Sequence, residues 1–377
     1  MQLADRGRAV RRAFLAATLV AATGPVLAQS PRDPSAPPPP PPPAVATQPP
    51  KPAPDMQAVL DQLQALGARP FEQLTPAQAR AQPSPADAVR AVMAKRGMST
   101  APDPAVVTQD MPYGADPLQF VRIYKPAGAV SGRPMPIIVY WHGGGWVLAD
   151  VNVYDATPRM LSKMLNAMVV SVEYRKAPEA KFPSQHEDAV AAYRFVLANA
   201  ARMGGDVNRM AFSGESAGGN LAVATAIFAR DNRLPMPRHI LSVYPIANSD
   251  PTLPSRRDSA NAKPLGAAAL PWFAYYYSRT PADQQDPRVN LVRANLRGLP
   301  PTTIVNAQID PLRSDGETLA QAMRGAGVQV EQRTFPGVTH EMFGMGKVVR
   351  GAMQANTYAI SRLRPALAAT SQQPARR

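Results

Sequence analysis

From Asp55 onward apolar residues recur every three or four positions. Met56, Val59, Leu60, Leu63 and Leu66 share one helical stripe, and Gly67 closes it. Two shorter helices are punctuated in the same way. Thr75 precedes Pro76, and Ser84 precedes Pro85 in a run that ends at Gly97, so each has a polar cap followed by proline at the first helical position. After residue 104 the pattern switches to short apolar runs separated by longer helical stripes. The runs predict strands over 105–110, 118–124, 136–141, 167–174, 209–214, 239–245, 302–308 and 328–335. The stripes predict helices over 154–166, 185–203, 217–230, 314–326 and 346–365. Strands that alternate with helices from the third strand on imply a mostly parallel sheet of eight strands with helices on both faces. The first two strands have no helix between them and are expected to pair antiparallel at an edge. Residues 250–285, aromatic-rich and irregular ("LPWFAYYYSRTP"), interrupt the alternation. We expect this insertion to join the helices of 55–100 in a helical cap over a catalytic domain spanning 101–368.

The first 54 residues read differently. Arg6, Arg8, Arg11 and Arg12 precede an uncharged stretch from Ala13 to Ala28, and Val26-Leu27-Ala28 resembles a cleavage site. This predicts an export signal over 1–28, with a periplasmic or secreted destination. "RRAFLA" is similar to a twin-arginine signal. The apolar stretch is shorter than the roughly 20 residues of a membrane span, so no permanent anchor is expected after cleavage. Residues 29–54 carry many of the chain's 43 prolines and predict an extended spacer. Residues 369–377 read as a disordered tail.

Composition narrows the chemistry. The 377 residues hold no cysteine, which excludes disulfides, thiolate metal sites and a cysteine nucleophile. The net charge of +14 is scattered, mostly as arginine, with no basic run interleaved with aromatics, so nucleic acid is not an expected partner.

The strand predicted over 209–214 runs directly into Gly214-Glu215-Ser216-Ala217-Gly218 and then a helix. G-x-S-x-G at a strand-to-helix turn is a nucleophile elbow. Glycine is needed two residues either side because a side chain there would meet the neighbouring strand or helix. The gain is a serine hydroxyl exposed at the carboxyl end of the sheet, beside a helix N-terminus. The third strand is followed by His142-Gly143-Gly144-Gly145. Its glycines, with the Ala217 N–H, are candidate oxyanion donors for a tetrahedral intermediate.

Serine needs a base and an orienting carboxylate. Of the four histidines, His142 belongs to the glycine loop, His186 to a helix start and His239 to a strand entry. Only His340, after the last strand, occupies a loop at the carboxyl end. Asp310 ends the seventh strand before Pro311, whereas Asp315 reads as a helix-entry residue. The expected triad is Ser216, Asp310 and His340.

These motifs resemble the hormone-sensitive-lipase-like branch of the α/β-hydrolases, the family IV bacterial esterases. The resemblance covers about residues 55–365. It rests on "HGGGW", "EYRKAPEAKFPSQHEDA", "GESAGGNLA", "GLPPTTIVNAQIDPLRSDGE" and "GVTHEMFG". It implies an α/β-hydrolase fold and a serine carboxylesterase acting on short- to medium-chain esters, with no metal or organic cofactor. The same mechanism would serve a deacetylase or amidase on an acylated sugar, peptide or xenobiotic. The fold also hosts non-catalytic binding proteins, although those typically lack a triad member. Three positions depart from the family pattern. Glu215 replaces the usual aspartate, Asn290-Leu291 replaces Ser-Pro, and Glu341 replaces glycine. Trp146, Glu215, Met342 and Phe343 are the expected pocket residues. Trp272 and Tyr275-Tyr276-Tyr277 read as cap core first and as pocket lining second.

Overall fold

The computed structural model describes residues 50–129 and 132–369. The export signal, most of the proline spacer and all but the first residue of the tail lie outside the described residues.

Among the described residues eight strands form one sheet: β1 (Val106–Pro112), β2 (Phe120–Pro126), β3 (Met135–Trp141), β4 (Met168–Val172), β5 (Gly205–Glu215), β6 (His239–Val243), β7 (Thr302–Ile309) and β8 (Val330–Thr339). Their order is β1-β2-β4-β3-β5-β6-β7-β8. β2 pairs antiparallel with both β1 and β4, and every other pairing is parallel. The chain moves from β3 outward to β4, returns across β3 to β5, and then continues outward through β6. The strand order therefore reverses between β3 and β5, and the carboxyl ends of two such strands open a crevice suited to a ligand.

Among the described residues ten α-helices accompany the sheet: α1 (Pro54–Ala65), α2 (Pro76–Ala81), α3 (Pro85–Lys95), α4 (Ala156–Leu165), α5 (Ser184–Met203), α6 (Ala217–Asp231), α7 (Pro254–Asp258), α8 (Ala269–Tyr277), α9 (Arg313–Gly325) and α10 (Arg350–Leu367). The period-two alternation of β3 divides the core. Ile137, Val139 and Trp141 pack in the cluster that holds α5, α6 and α9. Ile138 and Tyr140 pack in the cluster that holds α1, α3, α4 and α10. Successive side chains of a strand point to opposite faces, so one strand seeds both layers. All five residues of β4 and all five of β6 are buried, as covered parallel strands require.

The two predicted caps form as capping boxes. The Thr75 hydroxyl accepts the Gln78 N–H at 3.3 Å, and the Gln78 side chain accepts the Thr75 N–H at 3.0 Å. Ser84 and Asp87 repeat the arrangement at 3.3 and 2.8 Å.

Several elements differ from expectation. The last helix starts at Arg350, not 346, because Met342–Met345 form a separate 3₁₀ turn and Val349 is extended. β8 continues past 335 to Thr339, bending at Gly337 (φ +67°), and so carries the chain to His340. The aromatic stretch of the insertion is not irregular; it forms α8, with Pro271 in the first turn where amide hydrogens have no helical acceptor. Phe71 packs 5.6 Å from the Phe273 ring, and the Trp272 indole N–H donates to the Leu74 carbonyl at 2.8 Å. Insertion and N-terminal segment thus meet over the crevice. Only part of that segment overhangs it: α1 and most of α3 bury Met56, Val59, Ala88 and Val92 against the layer of β8 and α10.

Candidate active site

Ser216 lies between β5 and α6 with φ 57° and ψ −119°. This is a left-handed conformation that costs a residue with a side chain about 1–3 kcal/mol. The surrounding glycines explain how it is held. A Cβ on Gly214 would stand 2.1 Å from the Gly218 carbonyl oxygen, and one on Gly218 would stand 2.0 Å from the Trp141 carbonyl oxygen. Helix and strand therefore approach backbone to backbone, which forces the sharp turn. The Ser216 N–H donates to the Val243 carbonyl at 2.8 Å and fastens the turn to β6.

His340 follows β8 and Asp310 follows β7. The structure brings both to Ser216. The His340 Nε2 lies 3.0 Å from the Ser216 Oγ, and its Nδ1 lies 2.7 Å from the Asp310 Oδ2. Asp310 can only accept, so Nδ1 carries the hydrogen and Nε2 is left to accept from the serine hydroxyl. The other Asp310 oxygen accepts the Leu312 N–H at 2.8 Å, which fixes the carboxylate. All three side chains are buried. Burial pushes the imidazole down, but the charge and hydrogen bond of Asp310, with Glu341 and Glu215 behind them, more than reverse this and leave it above its ordinary value.

The other candidates have different surroundings. Asp315 does not reach His340. Its carboxylate faces Arg256 at 2.7 Å and accepts the Ala247 and Asn248 amides at 3.1 Å. His142 stacks on Tyr174 at 4.2 Å and is pushed down by burial. His186 binds Asn220 at 3.0 Å, and burial takes it down to about 4. His239 binds Thr303 at 2.9 Å and is likewise taken down by burial to about 4. These three are neutral supports within the fold.

Gly144 (φ +96°) and Gly145 (φ +59°) line the cleft over Ser216. Gly143 is packed one step back, where an added Cβ would meet the Tyr154 hydroxyl at 2.2 Å. Among the described residues no acceptor takes the N–H of Gly143, Gly144 or Gly145. Ala217 is the first residue of α6, so its N–H has no helical acceptor either. The loop is braced by Arg80, which no motif in the sequence marks, and by residues of the 173–189 motif. Arg80 donates to the Val147 carbonyl at 2.8 Å and the Ala177 carbonyl at 2.6 Å while paired with Glu179. Glu173 accepts the Val151 N–H at 2.9 Å and pairs with Lys176.

A cleft of about 520 Å³ opens above the serine, with Phe71, Trp146, Ile246, Leu270, Phe273 and Leu312 among its apolar walls. Trp146 lies in this wall, as the sequence predicts, stacked on Tyr277 at 4.2 Å. Glu215, Met342 and Phe343 do not. The Glu215 side chain points behind the serine, where it accepts from the Tyr140 hydroxyl at 2.6 Å and from Tyr244. Burial raises it to about 7, against the hydrogen bonds of its neighbours. Met342 and Phe343 belong to the 3₁₀ turn, which rotates both into the core. The residue between them and His340, Glu341, does line the cleft. Of the aromatic run, Tyr276 packs on Trp272 at 4.9 Å, Tyr275 is exposed, and Tyr277 faces the cleft. Among the described residues no cluster of three or more His, Asp or Glu side chains is placed to hold a metal ion, and no helix is long and apolar enough to cross a membrane.

An elbow serine, a histidine and an aspartate at three strand ends of one mostly parallel sheet define a hydrolase of the α/β type. The chain belongs to the alpha/beta hydrolase fold family, whose pattern matches residues 138–344, and within it to the hormone-sensitive-lipase-like, family IV branch. It is 36% identical to carboxylesterase NlhH of Mycobacterium tuberculosis over 291 residues, 75% of this chain and 91% of that protein. It is 32% identical to ethyl acetate hydrolase of Pseudomonas putida, over 62% of this chain and 74% of that one. Among solved structures, a thermostable esterase from Pseudomonas putida superimposes with a TM-score of 0.75 at 27% identity, covering 85% of this chain and 99% of that chain. A hyperthermophilic esterase from Pyrobaculum calidifontis gives 0.73 at 30%, covering 84% and 100%.

Proposed function

We propose that the protein is a serine carboxylesterase that hydrolyses short- to medium-chain acyl esters through an acyl-enzyme. Ser216 Oγ attacks the ester carbonyl as its proton passes to His340 Nε2. The carbonyl oxygen becomes an oxyanion facing the N–H groups of Ala217 and the Gly143–Gly145 loop. Each such donor is typically worth about 100- to 1,000-fold in turnover. The C–O bond then breaks, and the imidazolium returns its proton to the leaving alcohol. Asp310 orients the imidazole and stabilises its charged form. A water molecule, deprotonated by the same nitrogen, attacks the acyl-enzyme and releases the acid.

The observation that carries this reading is the 3.0 Å contact between His340 Nε2 and Ser216 Oγ, with Asp310 on the opposite ring nitrogen. The esterase relatives favour ester over amide chemistry. The test is turnover of p-nitrophenyl esters from acetyl to dodecanoyl beside an anilide and an acetylated sugar. We expect rates to peak at the short to medium esters and Ser216→Ala to lose at least about 10,000-fold. Faster turnover of the anilide or the sugar would favour an amidase or deacetylase. No turnover of any substrate would favour a binding protein. The leader leads us to place the enzyme outside the cytoplasm, with a mature chain beginning at Gln29, which amino-terminal sequencing of exported protein tests.

A further inference from the structure

The whole chain is strongly basic, yet the cleft over Ser216 is not. Among the described residues three cations line it, and each already faces a carboxylate: Arg80 with Glu179, Lys176 with Glu173, and Arg256 with Asp315. Three further carboxylates line the same cleft, those of Asp150, Asp250 and Glu341, and none has a Lys or Arg partner within 4 Å among the described residues. The bound cations cancel against their own partners, so the cleft presents surplus negative charge.

Glu341 is the one of the three beside the chemistry. Its Oε1 lies 3.9 Å from His340 Nε2, the nitrogen that also faces Ser216. It is held there at some cost. Its φ of +69° is a left-handed conformation that glycine would adopt freely. The Tyr154 hydroxyl, 2.7 Å from each carboxylate oxygen, fixes its orientation. That hydroxyl supplies a hydrogen bond but no counter-charge. A fifth of the side chain remains exposed, and the residue lines the cleft over Ser216.

The leaving oxygen of an ester must come within about 3 Å of Nε2 to receive its proton. A group on the second carbon of the leaving alcohol then falls within the roughly 4–6 Å over which an opposite charge is strongly felt. We propose that this enzyme selects esters whose leaving alcohol carries a positive charge at that position, and that Glu341 is the specificity-determining residue. The bond broken and the proton path are those of ordinary ester hydrolysis, so the inference rests on the esterase reading above.

The test compares butyrylthiocholine with 3,3-dimethylbutyl thiobutyrate, which has the same acyl group and shape but no charge. The wild-type protein is expected to show kcat/KM at least about tenfold higher for the cation, a preference that shrinks with added salt. In Glu341→Gln the ratio should fall to near one, and in Tyr154→Phe, which keeps the carboxylate, it should persist. Because each ratio is taken within one protein, a general loss of activity cancels. A measurement on the wild type alone guards against a variant that fails to fold. Choline should inhibit p-nitrophenyl butyrate hydrolysis competitively at a concentration at least about tenfold below that needed for 3,3-dimethylbutan-1-ol. Turnover of the neutral thioester with a wild-type ratio of one or less, or equal inhibition by the two alcohols, overturns the charge preference and leaves the esterase reading intact. A ratio that survives Glu341→Gln overturns the assignment to Glu341. Failure to hydrolyse either thioester or any p-nitrophenyl ester overturns both readings.

Discussion

The Nδ1 nitrogen of His340 stands 2.7 Å from the Oδ2 of Asp310, and the two residues extend the ends of neighbouring strands. Burial opposes a charged imidazole here, and the aspartate more than offsets it, so the histidine titrates above its ordinary value of 6.5. A base must be neutral to accept a proton. We therefore expect kcat/KM to fall as pH drops through a value above 6.5. In Asp310→Asn burial acts without the opposing charge. The acid limb should move to lower pH, while the maximal rate falls by about 10⁴-fold because the imidazole loses its orientation. Rate–pH profiles of the two proteins on one p-nitrophenyl ester check both parts.

Glu215 gives a pH effect of the opposite kind, on stability. Burial raises its folded-state value to about 7 from an ordinary 4.5. The folded protein then holds a proton that the unfolded chain has released. Stability contributed by this group is greatest at low pH and is lost as pH rises from about 4.5 to about 7. The loss is at most about 3 kcal/mol. Glu215→Gln cannot release that proton and should lack this part of the decline. Urea unfolding of both proteins at pH 5 and pH 8 measures the difference.

The elbow is a backbone contact, which makes its glycines intolerant of a single methyl group. Gly218→Ala would drive a Cβ to within 2.0 Å of the Trp141 carbonyl oxygen in β3, which cannot move without breaking the sheet. A cost of at least about 3 kcal/mol is expected, with loss of activity. A methyl group added to Gly97 (φ +67°) would find nothing within 4 Å, so Gly97→Ala should cost only about 1–2 kcal/mol of backbone strain. Thermal melts of the two variants separate steric from conformational cost.

What the sequence makes legible is what depends on neighbours along the chain. The elbow is a local steric arrangement, so five consecutive residues reveal it. Strand ends are visible from the apolar runs, and they point to Asp310 and His340. Contacts between distant residues leave no such trace. Tyr154 and Glu341 meet across the fold, and nothing in either neighbourhood announces the other. Glu215 is adjacent to the serine yet turned away from the cleft, because alternate residues at the end of β5 face opposite sides. Closeness to His340 along the chain points Met342 and Phe343 toward the pocket, but the 3₁₀ turn carries them into the core. The stripes of α1 and α3 show that these helices pack, without indicating that the layer of β8 and α10 is what they pack on.

On the proposed mechanism Ser216 is the nucleophile, made reactive by His340 and Asp310. The most direct measurement is incubation with a p-nitrophenyl alkylphosphonate, followed by intact-protein and peptide mass spectrometry. One phosphonyl group per chain is expected, located on Ser216, with esterase activity falling in step with its incorporation. Label on another residue, or full loss of activity with Ser216 unmodified, would contradict it.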